Sequence, residues 1–176
     1  MAEAQGLVQL YYGDGKGKTT AAFGLALRCA GWGRRVVVAQ FLKGGRSGEA
    51  EVAARIPEIT LLRDSPTGKF TFQMDEREKA ETAARCLALF RRAVGLARAE
   101  DARLLVLDEV LDALHGFLPA DELLCFLDTR PAGLEVVLTG HDLPPALEPR
   151  ADYITRFSKE KHPYDRGVTA RKEIEF

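Results

Sequence analysis

The stretch Leu7–Thr20, LVQLYYGDGKGKTT, decides the fold, because an apolar segment runs into a loop of glycines and lysines and then into an Ala-rich segment. Residues with strand preference precede Gly13, and the glycines of the loop can adopt positive φ or approach a ligand closely. A helix predicted over Thr19–Ala30 directs the partial positive charge of its N-terminus at the same loop, beside the Lys18 ammonium. The stretch therefore predicts a loop that cradles phosphate groups.

The loop fits half of the usual phosphate-loop pattern, G-x-x-x-x-G-K-[ST]. Gly17, Lys18 and Thr19 form its second half, in which the lysine reaches the terminal phosphates and the hydroxyl binds Mg²⁺. Tyr12 stands where the first glycine is expected, and Gly13 follows one place late. A glycine-rich turn without a ligand is the alternative, but the strand, loop and helix context favours nucleotide binding. The residues assigned to nucleotide contacts are Gly13, Asp14, Gly15, Lys16, Gly17, Lys18, Thr19 and Thr20.

Apolar runs alternate with helical patterns along the rest of the chain. Arg35–Phe41, RVVVAQF, is almost continuously apolar, as expected for a parallel strand that helices cover on both faces. Asp75 and Glu78 form a capping signature for a long amphipathic helix that ends near Ala99. The alternation predicts an α/β fold with a mainly parallel central sheet. The other predicted elements are strands at Ile59–Leu62, Arg103–Leu107, Leu134–Thr139 and Ala151–Phe157, short helices at Glu49–Arg55 and Asp121–Leu127, a short helix bracketed by Pro144, Pro145 and Pro149, and a β-like end to the basic tail Lys159–Phe176.

The strand predicted at Arg103–Leu107 ends in two acidic residues, Asp108 and Glu109. An acidic residue at the end of an apolar strand is the usual partner of a phosphate loop, because its carboxylate holds Mg²⁺ while a second carboxylate positions a reactant. As an isolated feature, Asp108 would more often cap the next helix. Together with Lys18 and Thr19 upstream, the acidic pair favours a metal site with Thr19, Asp108 and Glu109 as its ligands.

Two more loops follow predicted strands, where open α/β sheets bind their ligands. Lys43 and Arg46 follow the second strand, and His141 follows the strand Leu134–Thr139. The two cations fit a phosphate or another anion, and the alternative is an exposed loop with solvated charges. In the tail, His162 begins the run HPYD, which shapes either a site or a turn.

The stretch Arg63–Met74, RDSPTGKFTFQM, is the least regular part of the chain. It presents Phe70, Phe72 and Met74 at alternating positions, which puts all three on one face. These side chains either bury themselves against the domain or form a movable apolar wall of a binding site. The pattern alone leaves both interpretations open.

Length and composition restrict the class of protein. A chain of 176 residues suits one domain with a substantial core. The formal net charge is −1 and the charges are interspersed, which argues against a basic surface for nucleic acid. Cys29, Cys86 and Cys125 are widely spaced, as expected for reduced thiols. Since MAEAQG has no apolar targeting core and no run is long enough to span a bilayer, we expect a soluble cytoplasmic protein.

Taken together, these stretches resemble the ATP:corrinoid adenosyltransferases of the P-loop type, also called cob(I)alamin or cob(I)yrinic acid a,c-diamide adenosyltransferases. The match covers nearly the whole chain. Each motif is weak alone, but their order is highly specific. The motifs are YGDGKGKTTAA at Tyr12–Ala22, QFLKG at Gln40–Gly44 followed by Gly48-Glu49, FTF at Phe70–Phe72, VLDE at Val106–Glu109, TRP at Thr129–Pro131, VVLTG at Val136–Gly140 and KHPY at Lys161–Tyr164.

This resemblance implies a single domain over residues 1–176 with the three-layer, RecA-like fold of P-loop NTPases. It implies transfer of the 5′-deoxyadenosyl group of ATP to the Co(I) of a reduced corrinoid, with release of triphosphate and with Mg²⁺ as a cofactor. Members of the family are understood to hold ATP reversed in the loop, so that C5′ faces cobalt, and the late Gly13 fits that arrangement. A flavoprotein reductant and a homodimer are implied as partners, with no nucleic acid and no membrane.

For individual residues, the resemblance implies catalytic roles for Lys18, Glu109, Phe70 and Phe72. The two phenylalanines match an aromatic pair that is thought to displace the lower axial ligand of the corrin, and Met74 joins them as a corrinoid contact. The additional site candidates are Lys43, His141, Lys161 and His162.

The chain departs from the family pattern at two positions that bear on the site. Phe72 stands where many members carry tryptophan, and Glu173 replaces a glycine common near the C-terminus. Two other function classes share the loop and the acidic pair. A small-molecule kinase would convert ATP to ADP, whereas a nucleotide-dependent regulator or corrinoid carrier would bind its ligands without turnover.

Overall fold

The structure is a computed structural model that describes residues 5–63 and 73–175. These residues form a six-stranded sheet in which each strand runs parallel to its neighbours, in the order β3-β2-β4-β5-β1-β6. The strands are β1 (Val8–Tyr12), β2 (Val36–Gln40), β3 (Ile59–Arg63), β4 (Leu104–Asp108), β5 (Glu135–Gly140) and β6 (Tyr153–Arg156). The helices are α1 (Lys18–Ala30), α2 (Gly48–Ala53), α3 (Glu76–Ala99), α4 (Val110–Ala113) and α5 (Ala120–Thr129).

The sheet lies between two layers of helices, because its inner strands are apolar on both faces. In β2, Val37 and Ala39 belong to a core cluster that includes side chains of α3, α4 and α5. Val36 and Val38 belong to a second cluster, with side chains of α1 and α2. Alternate residues of a strand point to opposite faces, so every residue of β2 is buried. The predicted α/β class with a parallel sheet is therefore confirmed.

Local signals fix the ends of the helices as predicted. Asp75 caps α3 by accepting from the Glu78 N–H at 2.8 Å, while the Glu78 carboxylate accepts from the Asp75 N–H at 3.0 Å. This reciprocal pair satisfies two N–H groups that the first turn leaves without partners. Nearer the N-terminus, α1 ends at its C-cap Gly31, as the Gly31-Trp32-Gly33 run indicates. Because all strands are parallel, their carboxyl ends and the loops that follow them meet at one edge of the sheet.

The structure corrects two predicted elements. The end of the tail is not β-like: its described residues contain a 3₁₀ turn at Pro163–Arg166 and no strand. The proline-bracketed segment contains a 3₁₀ turn at Glu148–Arg150 and no α-helix, since its prolines remove backbone donors. Among residues 5–63 and 73–175, no helix is both long enough and apolar enough to cross a bilayer.

Candidate active site

The phosphate loop joins β1 to α1 and is held from two sides. Gly13 and Gly17 have φ values of 115° and 114°, in the region that favours glycine. The Gly13 N–H donates to the His141 carbonyl at 2.9 Å, and the Gly15 N–H donates to the Phe157 carbonyl at 2.8 Å. A Cβ atom at Gly13 would lie 2.3 Å from that Phe157 oxygen. The glycine at position 13 therefore permits a close approach of the chain that follows β6.

Lys18 is the first residue of α1, and its side chain turns back over the loop. The ammonium donates to the carbonyls of Gly13 at 2.6 Å and Gly15 at 3.0 Å. Burial lowers the pKa of Lys18, and nearby carboxylates, Asp112 foremost, oppose that shift. The helix begins without a side-chain cap, so the N–H groups of its first turn remain available to an anion.

Asp108 ends β4, and its carboxylate is completely buried. Its Oδ1 atom accepts from the hydroxyls of Thr19 at 3.0 Å and Thr139 at 2.7 Å. Its Oδ2 atom accepts from the Gln40 amide at 3.0 Å and from the Lys43 ammonium at 2.7 Å. A buried charge is stable only with such partners. These contacts join α1, β2, β4, β5 and the loop after β2 around one carboxylate.

Lys43 lies among the three residues predicted as metal ligands. Its Nζ atom is 2.8 Å from Thr19 Oγ1, 2.7 Å from Asp108 Oδ2 and 3.2 Å from Glu109 Oε1. Burial alone would lower the pKa of Lys43, but Asp108 and Glu109 outweigh it and hold that pKa above its ordinary value. Burial raises the pKa of the Glu109 carboxyl, and Lys43 opposes that rise. The acidic pair thus faces one internal cation.

The chemistry of these oxygens suits a hard cation. In the part of the chain that the structure describes, no group of three or more His, Cys, Asp or Glu side chains could hold a metal. Mg²⁺ in nucleotide sites uses one or two carboxylates together with a hydroxyl, waters and the phosphates of the substrate. Thr19, Asp108 and Glu109 match that reduced donor set.

His141 follows β5 and connects the phosphate loop to α4. Its N–H donates to Asp112 Oδ1 at 3.1 Å, and its Nδ1 atom lies 3.0 Å from the same oxygen. Asp112 Oδ2 is buried and has no hydrogen-bond partner among residues 5–63 and 73–175. A Cβ atom at Gly140 would lie 2.5 Å from Leu111 Cβ, so this glycine lets α4 pack against the end of β5. The imidazole is thereby oriented beside the loop.

A cavity of about 720 Å³ lies over the phosphate loop. Its wall includes most of the residues assigned to the nucleotide, together with apolar side chains of α1 and residues 173–175 of the tail. The lining residues from these groups are Asp14, Gly15, Lys16, Gly17, Lys18, Thr19, Thr20, Phe23, Leu27, Glu173, Ile174 and Glu175. Lys43, Glu109, Asp112, Thr139, His141 and His162 line it as well.

The tail reaches the cavity through contacts with the loop. The Lys16 ammonium pairs with Glu175 at 3.0 Å, and the Lys159 N–H donates to Asp14 Oδ1 at 3.2 Å. Hydrogen bonds from Arg171 first, and then the bond from Lys16, lower the pKa of the Glu175 carboxyl to about 2. Two of the loop residues assigned to the nucleotide therefore also hold the tail.

The other predicted site residues are distributed as follows. Met74 is 7% exposed and its sulfur accepts from the Thr82 hydroxyl at 3.7 Å, a packing contact with α3. Lys161 is exposed and is not among the residues that line the cavity. Arg46 pairs with Glu51 on the surface, as the exposed-loop alternative expects. Phe70 and Phe72 lie outside the described residues.

Sequence reasoning missed four residues that belong to the site: Gln40, Asp112, Thr139 and Glu175. For Gln40 and Thr139 a signal exists, since each is a polar residue near the end of a strand that is otherwise apolar and buried. A buried polar side chain needs a partner, which points to a polar cluster at those strand ends. The roles of Asp112 and Glu175 depend on tertiary contacts that no local sequence pattern predicts.

Comparison with known proteins gives one consistent result. The sequence model of the ATP:corrinoid adenosyltransferases BtuR/CobO/CobP matches residues 4–176. A corrinoid adenosyltransferase of Pseudomonas aeruginosa is 36% identical over 176 residues, covering 99% of this chain and 85% of that protein. The corrinoid adenosyltransferase CobA of Salmonella typhimurium is 34% identical, covering 99% of this chain and 87% of that protein.

Among solved structures, the KaiC-like protein PH0186 of Pyrococcus horikoshii OT3 matches with a TM-score of 0.59 at 21% identity. The match covers 90% of this chain and 75% of that chain. At this identity the likeness concerns the fold alone, and it agrees with the α/β fold and parallel sheet described above.

Proposed function

Because this chain belongs to the ATP:corrinoid adenosyltransferase family and is an enzyme that adenosylates corrinoids with ATP, we propose how its own residues carry out that transfer. We assign ATP to the cavity over the phosphate loop and triphosphate to the loop itself. The observation that carries the assignment is the contact of Thr19 with Asp108, which brings the loop hydroxyl and the buried acid of β4 together beside Lys18 and Glu109. That pairing is what a nucleotide–metal site requires.

In the proposed reaction, the electron pair of Co(I) attacks C5′ of ATP, the Co–C bond forms, and the C5′–O bond breaks. The triphosphate leaves with the electrons of that bond. Lys18, the N–H groups of the loop and the N-terminus of α1 stabilise the negative charge that develops on it, and such preorganised donors usually contribute the largest catalytic term. The cavity walls hold C5′ and the corrinoid in line.

Thr19, Asp108 and Glu109 are the residues that would hold Mg²⁺ in this site, because their hard oxygen atoms already converge on a single cation, Lys43. The bound metal would supply further positive charge to the triphosphate. Lys43 and His141 line the same cavity and are proposed as additional phosphate contacts. Lys161 and His162, which belong to the tail, are proposed as additional substrate contacts.

Phe70, Phe72 and Met74 are proposed as corrinoid contacts on the strength of the family resemblance. If the aromatic pair displaces the lower axial ligand of the corrin, it makes Co(II) easier to reduce. Phe72→Ala should then retain activity with chemically pre-reduced Co(I) and lose most of it when bound Co(II) must be reduced. Equal losses in the two assays would remove Phe72 from that role.

The wider context is proposed from the same resemblance and from composition. We propose one domain over residues 1–176, a homodimer, a flavoprotein that supplies electrons, and a cytoplasmic location. The free cysteines at positions 29, 86 and 125 support a reducing compartment. The net charge of −1 supports neither nucleic acid nor an anionic membrane as a partner.

The reaction is tested by identifying its products. The protein is incubated with ATP, Mg²⁺ and chemically reduced cobalamin, and we expect triphosphate together with a photolabile Co–C bond. Formation of ADP without that bond would instead support the kinase alternative, and binding without turnover would support a carrier. Lys18→Ala should abolish most of the turnover, whereas Lys79→Ala, which removes an exposed lysine of α3, is the matched control and should not.

A further inference from the structure

Three oxygen atoms converge on the Lys43 ammonium at the mouth of the phosphate loop. They belong to Thr19, Asp108 and Glu109, at 2.8, 2.7 and 3.2 Å from Nζ. The Lys43 side chain is 23% exposed and that of Asp108 is completely buried, so solvent screens their interaction weakly. Both carboxylates of the acidic pair therefore already face one internal positive charge.

The same three residues are those proposed above as ligands of Mg²⁺. An ammonium that contacts all three oxygens and a metal ion bound by them would both lie between these atoms. Two cations at that distance repel each other strongly in a partly buried site. Occupation by Lys43 and occupation by a metal ion are therefore mutually exclusive.

The loop that carries Lys43 allows its side chain to leave. Leu42 has a φ of 56°, a conformation that costs energy in any residue other than glycine and that neighbouring contacts must hold in place. Gly44 and Gly45 follow, both exposed, and a Cβ atom at Gly45 would meet nothing within 4 Å. Leu42 itself packs against the core, so the ammonium moves through the Lys43 side chain and the two glycines that follow it.

We propose that Lys43 is the internal counter-cation of Asp108 and Glu109 and that it exchanges with Mg²⁺. When the metal enters with the nucleotide, the ammonium leaves the two carboxylates and pairs with phosphate in the same cavity. Lys43 is in this sense a positioning residue, because it holds the acidic pair together before the metal arrives. The inference rests on the proposed metal site and adds the exchange to it.

The exchange is tested by metal binding to the ATP-free protein, with Mn²⁺ as the probe and electron paramagnetic resonance of free Mn²⁺ as the readout. Lys43→Met keeps an unbranched side chain that is one atom shorter and removes its charge. We expect this variant to bind Mn²⁺ about tenfold more tightly than the wild type, which corresponds to a change of only about 1.4 kcal/mol. Arg46→Met is the matched control, because it removes another cation of the same loop, one that pairs with Glu51 on the surface. This variant should bind Mn²⁺ as the wild type does.

Two outcomes of this experiment separate the exchange from the metal site itself. If Lys43→Met binds Mn²⁺ as weakly as the wild type or more weakly, and Asp108→Asn abolishes binding, the metal site stands and the exchange is overturned. If binding in the Lys43→Met background survives Asp108→Asn, the metal lies elsewhere and the proposed site fails with the exchange.

A second measurement uses the wild-type protein and so does not depend on the folding of a variant. Trinitrobenzenesulfonate modifies lysine amines, and peptide mapping reports the rate at Lys43 relative to the exposed Lys79 of α3. We expect Mg²⁺ to raise the relative rate at Lys43 severalfold, because the ammonium loses its contacts with the carboxylates. An unchanged relative rate at saturating Mg²⁺ overturns the exchange.

Discussion

Replacing Gly13 with alanine tests the close packing of the phosphate loop against the chain after β6. The φ of 115° at Gly13 costs an L residue roughly 1–2 kcal/mol. The added Cβ atom would also lie 2.3 Å from the carbonyl oxygen of Phe157, a backbone atom that cannot rotate away. The two segments must then separate, which weakens the hydrogen bonds from Gly15 N–H to Phe157 and from Phe157 N–H to Tyr12.

The expected magnitude follows from these contacts. Each lost backbone hydrogen bond costs about 0.5–1.5 kcal/mol, so with the backbone strain the free energy of unfolding should fall by about 3 kcal/mol. For a chain of this size that corresponds to a decrease in Tm of roughly 6–12 °C. Urea unfolding, followed by circular dichroism, measures the change directly.

Two other glycines provide matched controls. Gly17 has a φ of 114°, but a Cβ atom there would only reach ring carbons of Phe157 at 3.5 and 3.6 Å, so Gly17→Ala should cost only the backbone strain, roughly 1–2 kcal/mol. Gly95 lies inside α3 with nothing within 4 Å of such an atom, so Gly95→Ala should stabilise the protein by roughly 0.5–1 kcal/mol. If Gly13→Ala is no less stable than Gly17→Ala, the close approach of Phe157 is refuted.

Two further predictions concern contacts that hold the site. The Thr139 hydroxyl donates to Asp108 at 2.7 Å and accepts from the Glu109 N–H at 2.8 Å. Thr139→Val should therefore lower the free energy of unfolding, measured in urea, by about 2–3 kcal/mol, and Thr139→Ser by much less. A larger loss in Thr139→Ser than in Thr139→Val would show that the methyl group, through packing, matters more than the hydroxyl. Because the pKa of Glu175 is lowered from 4.5 to about 2, its pairs with the loop and with Arg171 are complete above about pH 4.5 and are lost as the pH falls toward 2. Carboxypeptidase should therefore remove residues from the C-terminal tail faster in Glu175→Gln than in the wild type at neutral pH. An identical rate of removal would contradict the contact that holds the tail to Lys16.

The α/β architecture could be predicted from the sequence because each strand of the sheet is indicated by a local pattern of residues. The apolar runs at β2, β4 and β5 are bounded by polar residues or glycines, and burial on both faces leaves few other states for such runs. The long helix α3 carries its own capping box, and the end of α1 carries its own glycine. The proline-bracketed segment and the tail were predicted less well, because their conformation depends on contacts with distant parts of the chain.

The site was predictable where two distant motifs complete each other. Thr19 and Asp108 are 89 positions apart, and the sequence assigns them to one metal site only because a phosphate loop and an acidic strand end occur together. Their direct hydrogen bond in the structure brings them to the same place. The position of Lys43 between them was not expected, since its pattern fitted a phosphate ligand or a solvated loop equally well. Its contact with the carboxylates follows from the register of β2 beside β4, in which Gln40 lies next to Asp108. Register of this kind is a tertiary property that no single run specifies.

The first glycine of the phosphate loop lies at position 13 instead of position 12. The packing of the chain explains this shift independently of any ligand. Tyr12 pairs in register with Arg156 of β6, and its carbonyl accepts from the Phe157 N–H at 2.7 Å. The chain after β6 therefore passes directly over the beginning of the loop. Cβ atoms at Gly13 and Gly15 would lie 2.3 and 2.7 Å from backbone atoms of Phe157. Glycine is thus required one residue after β1, where the edge strand leaves no room for a side chain, and a glycine at position 12 would not relieve that contact. Phe157→Ala, which removes only the ring, should consequently leave the cost of Gly13→Ala unchanged, and a cost that disappears in this background would show that the ring rather than the backbone sets the position of the glycine.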